Sequence, residues 1–403
     1  MINLIQYDRK SRFFKYLNLL LLVVFLYVVI QNTLYFYEKI IFGNHENFYD
    51  LRLIYNSLID TINKQNTYKI FPPYFDQPTT SIPPYILILI KDLGNITYEN
   101  FIKIFIFLEI IAIIFLFFYS YKLFPLDKIK FFYPFVYFFC FNFSLGLAGT
   151  VVGNIAVLLY SLIGISLVFL YKGKIFFFSL LIFVVSCFKF YLLIFFFLPL
   201  VLYGFRTLKY LIPFLFLIFL INYFSYLNDP ILYKSWVELM QIQVSRSPDN
   251  PWVGSDITQA FAALIRTFGN YFSIYLYPST FISNFFWILL SSVSFISFYF
   301  IYGNKELNGK KKLNILSFAI ILIFLFYPRV LIYDLFLIVP AYYYLVSEIT
   351  FSEKKSLNSF IKFILILFFI CVQDTHAWLC SLSMIFFLVI YLEFKNKDPL
   401  LLK

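Results

Sequence analysis

Charged residues are scarce in this sequence. Lysine, arginine, aspartate and glutamate make up 13% of the 403 residues, whereas 62% are hydrophobic, and the mean hydropathy is +0.84. About a quarter of the residues of a soluble domain are charged, so this chain has too few polar side chains to cover a globule in water. The composition excludes a soluble enzyme, a disordered protein and a disulfide scaffold, and it leaves a polytopic helical membrane protein.

Three further absences exclude other classes of protein. The four cysteines, Cys140, Cys187, Cys371 and Cys380, lie in apolar stretches without a C-x-x-C or Cys/His pattern, which argues against a zinc site or a disulfide framework. The apolar runs do not alternate with polar residues as the strands of a membrane barrel do. The net charge is +11, but no basic patch is interleaved with aromatic residues on a polar surface, so nucleic acid is not an expected partner.

Twelve apolar runs predict an all-α bundle of about twelve transmembrane helices, since a helical span takes about 20 mostly apolar residues. The runs cover about 16–37, 100–121, 131–147, 153–171, 175–188, 191–204, 210–227, 281–302, 313–327, 334–347, 360–372 and 376–393. The two runs between 175 and 204 are short for full crossings, which predicts tilted or broken helices. Basic clusters between the runs place both termini in the cytoplasm of a multi-pass protein of the inner (plasma) membrane.

This arrangement predicts one membrane domain over 1–403 with two long outer loops, about 38–99 and 228–278. The apolar stretch 83–93 is half a span long. A crossing there would invert every later loop and move the basic clusters outside, so we expect a short helix that lies at or dips into the outer surface. A re-entrant or compensated topology is the alternative.

The first outer loop carries the most polar chemistry. Leu51 to Asn63 has apolar residues at helical spacing and predicts an amphipathic helix along the membrane surface. Asp50 stands just before it, where a carboxylate can serve as the helix N-cap. A polar turn, Asn66-Thr67-Tyr68, follows, and Pro83-Pro84 predicts an extended segment that leads into the short apolar helix.

In this order the motifs resemble polyprenol-phosphate-dependent glycosyltransferases of the GT-C fold, and most closely the family 87 mannosyltransferase-like proteins. The resemblance covers about 16–345 and is carried by Asp50 with Tyr55 five residues later, the polar-Tyr turn at 66–68, Pro83-Pro84, Val152-Gly153-Asn154-Ile155, Ser186-Cys187-Phe188-Lys189, Asp256-Ile257-Thr258-Gln259 with Arg266, and Tyr327-Pro328-Arg329 with Tyr333-Asp334. The segment after Lys189 departs from the family pattern, because Phe190 to Leu192 lack its proline.

The resemblance implies an integral membrane glycosyltransferase. Such an enzyme moves a hexose, with mannose as the family-level expectation, from a polyprenyl-phosphate-sugar donor to a glycolipid or glycan acceptor at the outer face. Asp50 is then the general base that deprotonates the acceptor hydroxyl, and direct displacement inverts the anomeric centre. The alternative for Asp50 is a structural carboxylate that either caps the helix or lies in the loop without a catalytic role.

The resemblance also implies residues that bind the donor phosphate and sugar. These candidates are Lys189, Arg329, Gln259, Arg266, Tyr55 and Asn154, with His45, Glu46 and Asp334 as accessory residues. For Arg329 and Asp334 the alternative is an ion pair between the two. His45 and Glu46 could instead bind a metal or belong to a solvated loop. For Lys189 the alternative is a lysine that snorkels from a short span to the interface. For Asn154 and its neighbour Gly153 the alternative is close helix approach or helix capping.

Glu109 lies inside an apolar run, where an ionisable side chain is costly. Structural pairing or protonation is the leading interpretation for this residue, ahead of catalysis.

No Asp-x-Asp motif lies in an outer loop, which favours a lipid-linked donor over a nucleotide sugar. We therefore expect no cofactor, although scattered carboxylates and backbone oxygens leave a divalent metal open. Two other classes also stay open. A lipid-linked sugar transporter or flippase would show inverted repeats and midplane sites, and an envelope polysaccharide polymerase would carry its main polar loop late in the chain.

Overall fold

The computed structural model describes residues 48–68, 81–124, 153–244, 280–303, 309–327, 337–348, 357–358 and 361–362. Every regular element within these ranges is a helix, and none of the described residues forms a strand. The predicted all-α class is confirmed for this part of the chain. The runs expected at 16–37, 131–147 and 376–393 lie outside the described residues.

The first helix, α1, is Tyr49–Ile62. Its apolar residues Leu51, Ile54 and Leu58 recur at helical spacing and are almost fully buried, whereas Arg52 on the other face is exposed. The segment therefore forms the amphipathic helix that its pattern predicts.

The second helix, α2, is Pro84–Ile90, and a 3₁₀ turn over Lys91–Asn95 continues it. Pro83 is extended, with φ −62° and ψ 151°, and Pro84 occupies the first turn, where its missing N–H costs nothing. Seven residues span about 10 Å, far less than the roughly 30 Å hydrocarbon core of a bilayer. This segment is too short to cross.

Both flanks of the α2 segment are held on the α1 side of the molecule. The Tyr68 hydroxyl donates a 2.5 Å hydrogen bond to the carbonyl of Ile82, which precedes α2. The Tyr55 hydroxyl donates a 2.8 Å bond to the carbonyl of Ile96, which follows the 3₁₀ turn. The chain thus enters and leaves this segment beside α1.

Nine further helices make up the body of the part of the chain that the structure describes, and all but one of them, which has seven residues, are longer than α2. They are α3 (Tyr98–Leu123), α4 (Ala156–Tyr171), α5 (Ile175–Phe188), α6 (Phe197–Tyr203), α7 (Leu208–Asn228), α8 (Pro230–Val244), α9 (Thr280–Tyr302), α10 (Gly309–Leu325) and α11 (Ile338–Glu348). Between α5 and α6 lies a 3₁₀ helix, Phe190–Phe196. The extended backbone of Lys189 and the left-handed φ of Gly204 bound this stretch. The run expected near 191–204 is therefore one short helical segment that changes from 3₁₀ to α and is separated from α5 by the break at Lys189.

Two of the described helical segments are long and apolar enough to cross a membrane, Tyr98–Leu123 and Phe205–Asn228. Large apolar side chains project from both, with Phe107 and Phe219 each 63% exposed. A row of such side chains in water would be a strongly unfavourable apolar surface. Exposure to lipid removes this cost.

The helix ends meet in two separate groups of contacts. At one end, here called the Asp50 end, the hydroxyl of Tyr98 donates to the carbonyl of Phe48 and Asn154 contacts Asp50. At the other, the Lys312 end, the Lys312 ammonium contacts the Tyr171 carbonyl and the Tyr203 hydroxyl. The 16 residues of α4 join the two ends and span about 24 Å.

Two apolar clusters fill the interior. The larger lies among α4, α5, α6, α10 and α11 and includes the fully buried Ile163, Phe195 and Phe318. The smaller, here called the outer cluster, lies at the Asp50 end beneath α1, α2 and α8 and includes Leu51, Ile86, Phe105, Cys187 and Trp236. The outer cluster lies directly beneath the candidate site, since it includes Leu51, the residue after Asp50.

Candidate functional site

The start of α1 and the chain just before α4 approach each other closely at Gly153. Gly153 has φ +72°, a conformation that residues with a side chain adopt only under strain. A Cβ atom there would lie 2.7 Å from the Cβ of Leu51. Glycine is therefore required at 153 both for its backbone conformation and for the space. It lets Asn154 lie against α1, which is the close approach given above as the alternative role of Gly153 and Asn154.

Asn154 uses both ends of its side-chain amide. Its Oδ1 accepts a 2.9 Å hydrogen bond from the backbone N–H of Ala156, at the beginning of α4. Its Nδ2 donates a 2.6 Å hydrogen bond to Oδ2 of Asp50. Because the α4 backbone fixes the amide orientation, the N–H group that faces Asp50 is fixed as well. Asn154 thus accepts the first backbone N–H of α4 and holds the Asp50 carboxylate with the same side chain, although the N-cap position itself is Ile155.

The capping role expected as the alternative for Asp50 is wrong. The helix starts two residues earlier than predicted, at Tyr49, with Phe48 in the N-cap position and no side-chain capping bond. Asp50 lies inside the first turn, where a carboxylate is favoured by the helix dipole. It is half-buried, and its side chain reaches across to Asn154.

Such a carboxylate is suited to proton abstraction. A general base needs a fixed position and an ionised oxygen within hydrogen-bond reach of the proton that it removes. Asn154 supplies the fixed position through a donor to the charged group. The half-buried setting leaves the carboxylate partly accessible from the surface.

Arg52 is a cation of this region that the sequence analysis did not single out. It is exposed, and its guanidinium carbon lies 5.9 Å from the centroid of the Tyr98 ring. The Tyr98 hydroxyl in turn donates a 3.2 Å bond to the Phe48 carbonyl. The sequence did offer one indication, because Arg52 stands two residues after Asp50. A guanidinium matches the geometry of a phosphate, so an arginine beside the proposed base is a candidate phosphate ligand.

Tyr55 faces away from this point. Five residues of helix rotate a side chain by about 500°, which leaves it roughly 140° from Asp50 around α1. Its hydroxyl donates to the Ile96 carbonyl, and its ring contacts the rings of Tyr98 and Phe101 at centroid distances of 5.2 and 5.4 Å. In this structure Tyr55 joins α1 to α3 and is not brought beside Asp50.

Lys189 stands at the break that ends α5. Its backbone is extended, with φ −136° and ψ 96°, and its side chain is half-buried. Two residues earlier, the Cys187 carbonyl accepts a 2.8 Å hydrogen bond from the hydroxyl of Tyr85 in α2. Burial raises the pKa of the Tyr85 hydroxyl, so this group stays protonated and remains a donor. The break that carries Lys189 is thereby fixed to the Asp50 end.

The neighbours of Lys189 and Arg329 along the chain are in contact with each other. Tyr191 packs edge-on against Tyr327, with ring centroids 4.9 Å apart, and the hydroxyls of Tyr327 and Tyr160 lie 3.3 Å apart. Tyr191 is two positions from Lys189, and Tyr327 is two positions from Arg329.

Six candidates lie outside the described residues: His45, Glu46, Gln259, Arg266, Arg329 and Asp334. Within the described ranges, no group of three or more His, Cys, Asp and Glu side chains is arranged to hold a metal ion. Of the four described candidates, the structure brings Asp50 and Asn154 into direct contact and attaches the Lys189 segment to the same end.

No protein-family model matches the chain, and no curated protein and no solved structure matches it.

Proposed function

We propose that the protein is an integral membrane glycosyltransferase that moves a hexose, with mannose as the leading candidate, from a polyprenyl-phosphate-sugar donor to a glycolipid or glycan acceptor. The observation that carries this proposal is the hydrogen bond from Asn154 to the half-buried carboxylate of Asp50 at one end of an apolar helical bundle.

The location suits a lipid-linked donor. Its polyprenyl tail lies among the exposed apolar faces of the long helices, whereas its phosphate and sugar lie at the membrane surface. The amphipathic α1 and the short α2 lie at the Asp50 end and provide a surface layer of this kind. A reaction centre at the membrane surface can contact both the phosphate of the lipid-linked donor and a polar acceptor from the aqueous side.

The reaction is a single displacement. The acceptor oxygen attacks the anomeric carbon while Asp50 removes its proton, and the bond from the anomeric carbon to the phosphate oxygen breaks. The phosphate leaves already charged, so it needs cationic donors and no general acid. Lys189 and Arg329 fill this role in the proposal, with the exposed Arg52 as a third cation. One displacement inverts the anomeric configuration.

The remaining candidates serve substrate binding in this proposal. Gln259 and Arg266 contact the sugar or the phosphate, with His45, Glu46 and Asp334 as accessory groups. The reaction as written requires no cofactor.

We further propose about twelve spans with both termini in the cytoplasm. The Lys312 end carries a dense group of lysines, including Lys172, Lys310 and Lys311, and Lys310 pairs with Glu348 at 2.6 Å. Positive residues concentrate on the cytoplasmic side of membrane proteins. That rule assigns the Lys312 end to the cytoplasm and the Asp50 end to the outer face.

The direct test measures sugar transfer by the purified protein in liposomes that contain a polyprenyl-phosphate-mannose donor and glycolipid acceptors. We expect transfer by the wild type and a loss of about 10²- to 10⁴-fold in Asp50→Asn, the usual contribution of a general base. Asp92→Asn is the matched control, because Asp92 is an exposed carboxylate of the α2 segment. Wild-type activity in Asp50→Asn would eliminate Asp50 as the base.

A further inference from the structure

Glu109 is a buried carboxyl that the proposed mechanism does not use. It lies in the middle of α3, is only 5% exposed, and its Oε1 has no hydrogen-bond partner. Within the described residues it forms no ion pair, so the structural pairing expected from the sequence is wrong there. A buried polar group without a partner lowers stability, so Glu109 is a cost to the fold that a bound ligand can offset.

Glu109 lies where the two apolar clusters meet. Phe105, one turn before it on the same face of α3, belongs to the outer cluster. Ala112, one turn after it, belongs to the larger cluster. The carboxyl therefore stands between the outer cluster beneath the candidate site and the core of the bundle.

The register between α3 and α4 gives its depth. Both helices begin beside α1, since Tyr98 contacts Phe48 and Asn154 contacts Asp50, so they run in the same direction.

Further along the two helices, a Cβ at Gly164 would lie 2.9 Å from the Tyr119 ring, so these residues are level. Because the two helices run in the same direction, counting eight residues back from Tyr119 and from Gly164 places Ile111 level with Ala156. Glu109 is two residues further, a rise of about 3 Å. Glu109 is thus at the depth where α4 begins, which is the depth of Asn154.

We propose that Glu109 is a binding residue of the same site, and that its protonated carboxyl donates a hydrogen bond to a phosphate oxygen of the lipid-linked donor. This inference rests on the proposed function. A carboxyl that is buried among apolar residues without a cation stays neutral, and a neutral carboxyl can approach a phosphate without charge repulsion. Its depth is that of Asn154, which contacts Asp50, and the bond between the anomeric carbon and the phosphate breaks at that level in the proposed reaction.

Two substitutions separate this role from the alternatives. Glu109→Gln keeps a neutral donor of the same shape, and Glu109→Leu removes it. Leucine also removes the unpartnered polar group, so Glu109→Leu should fold at least as stably as the wild type. Glu99→Leu is the control, because Glu99 is an exposed carboxylate at the start of the same helix.

The first measurement is the affinity of purified variants for polyprenyl phosphate itself, without sugar. We expect at least a tenfold weaker affinity in Glu109→Leu, as for a lost hydrogen bond to a charged group, and near wild-type affinity in Glu109→Gln and Glu99→Leu. Unchanged affinity in Glu109→Leu would overturn the proposal. Equal losses in both Glu109 variants would show that a neutral hydrogen-bond donor at this position is not what binds the phosphate, which also overturns the proposal.

The second measurement is independent of transfer activity. Dicyclohexylcarbodiimide reacts with protonated carboxyls in apolar surroundings, so Glu109 should be modified at neutral pH, and bound polyprenyl phosphate should protect it. A Glu109 that is not modified, or that is modified equally with the lipid bound, contradicts the proposal. If Asp50→Asn still transfers sugar while Glu109 behaves as expected, only the proposed base is wrong. If Asp50→Asn is inactive but Glu109→Leu binds normally, only this inference is wrong.

Discussion

Asn154 donates a 2.6 Å hydrogen bond to Asp50 across 104 positions of the sequence. The same amide accepts the N–H of Ala156 at 2.9 Å, so the first turn of α4 determines how the Asp50 carboxylate is held. A surface carboxylate is already solvated by water, so it does not need a hydrogen bond from a fixed amide in order to be stable there. Its fixed orientation is what a general base requires.

Replacing Asn154 with alanine should therefore lower catalysis more than folding. A hydrogen bond to a charged group contributes about 1.5–3 kcal/mol, which corresponds to a rate loss of roughly 10- to 100-fold. The measurement is kcat for sugar transfer, compared with the thermal midpoint of unfolding in detergent. Asn95→Ala, at an exposed position of the 3₁₀ turn, is the control. An unchanged kcat would show that Asn154 does not orient the base.

Gly153 should be intolerant of any side chain. Gly153→Ala combines a left-handed φ of +72° with a Cβ only 2.7 Å from Leu51 Cβ, so both backbone strain and a steric clash oppose it. The strain alone is about 1–3 kcal/mol. We expect a clear fall in the thermal midpoint together with a loss of transfer, because the clash displaces Asn154 from Asp50.

Gly173→Ala is the matched control for this substitution. Gly173 has φ +76°, but the nearest atom to an added Cβ is the Tyr203 hydroxyl at 3.7 Å, which is an ordinary contact. This variant experiences the strain without the clash. Equal destabilisation by the two alanines would show that the approach of Gly153 to Leu51 is not tight.

The sequence predicted local features of the site well and its contacts poorly. The spacing of Leu51, Ile54 and Leu58 predicts α1, and Pro83 with Pro84 predicts where α2 begins. These features depend on residues close together in the chain. The partner of Asp50 is a tertiary contact that no local pattern specifies. The capping alternative failed because the helix begins at Tyr49, which places Asp50 inside the first turn.

Two other residues show the same limit. Tyr55 was a binding candidate through its spacing from Asp50 in the family motif, but helix rotation turns it towards Ile96. Glu109 was visible in the sequence as a charge in an apolar run. That its Oε1 has no hydrogen-bond partner within the described ranges, and how deep it lies, depends on the packing of α3 on α4.

Tyr68 should make stability depend on alkaline pH. Burial raises the pKa of Tyr68 well above the ordinary value of 10.0, with the neighbouring Tyr85 as a second cause. The folded state thus holds the proton more tightly than the unfolded state. The resulting stabilisation is complete below about pH 10 and is lost as the pH rises towards the folded pKa, because only the unfolded chain ionises.

Tyr68→Phe should flatten that alkaline fall in stability. The variant should also be less stable at pH 7, by about 1–3 kcal/mol, because the buried Ile82 carbonyl loses its 2.5 Å donor. Unfolding in detergent between pH 7 and 11 measures both effects. Tyr121→Phe is the control, since Tyr121 is exposed. A pH profile identical to that of the wild type would show that Tyr68 does not contribute.

The orientation of the bundle can be tested by cysteine labelling in sealed cells. The four native cysteines are replaced, and single cysteines are placed at Gln65, after α1, and at Lys172, after α4, both of which are exposed. About 30 Å of hydrocarbon separates the two aqueous sides of a bilayer, so a maleimide that cannot cross the membrane reaches only one of them. Because the lysines concentrate at the Lys312 end, we expect labelling of Gln65→Cys in intact cells and of Lys172→Cys only after permeabilisation. Labelling of both in intact cells would mean that α4 does not lead across the bilayer, and the reverse pattern would place Asp50 in the cytoplasm, where an outer-face donor could not reach it.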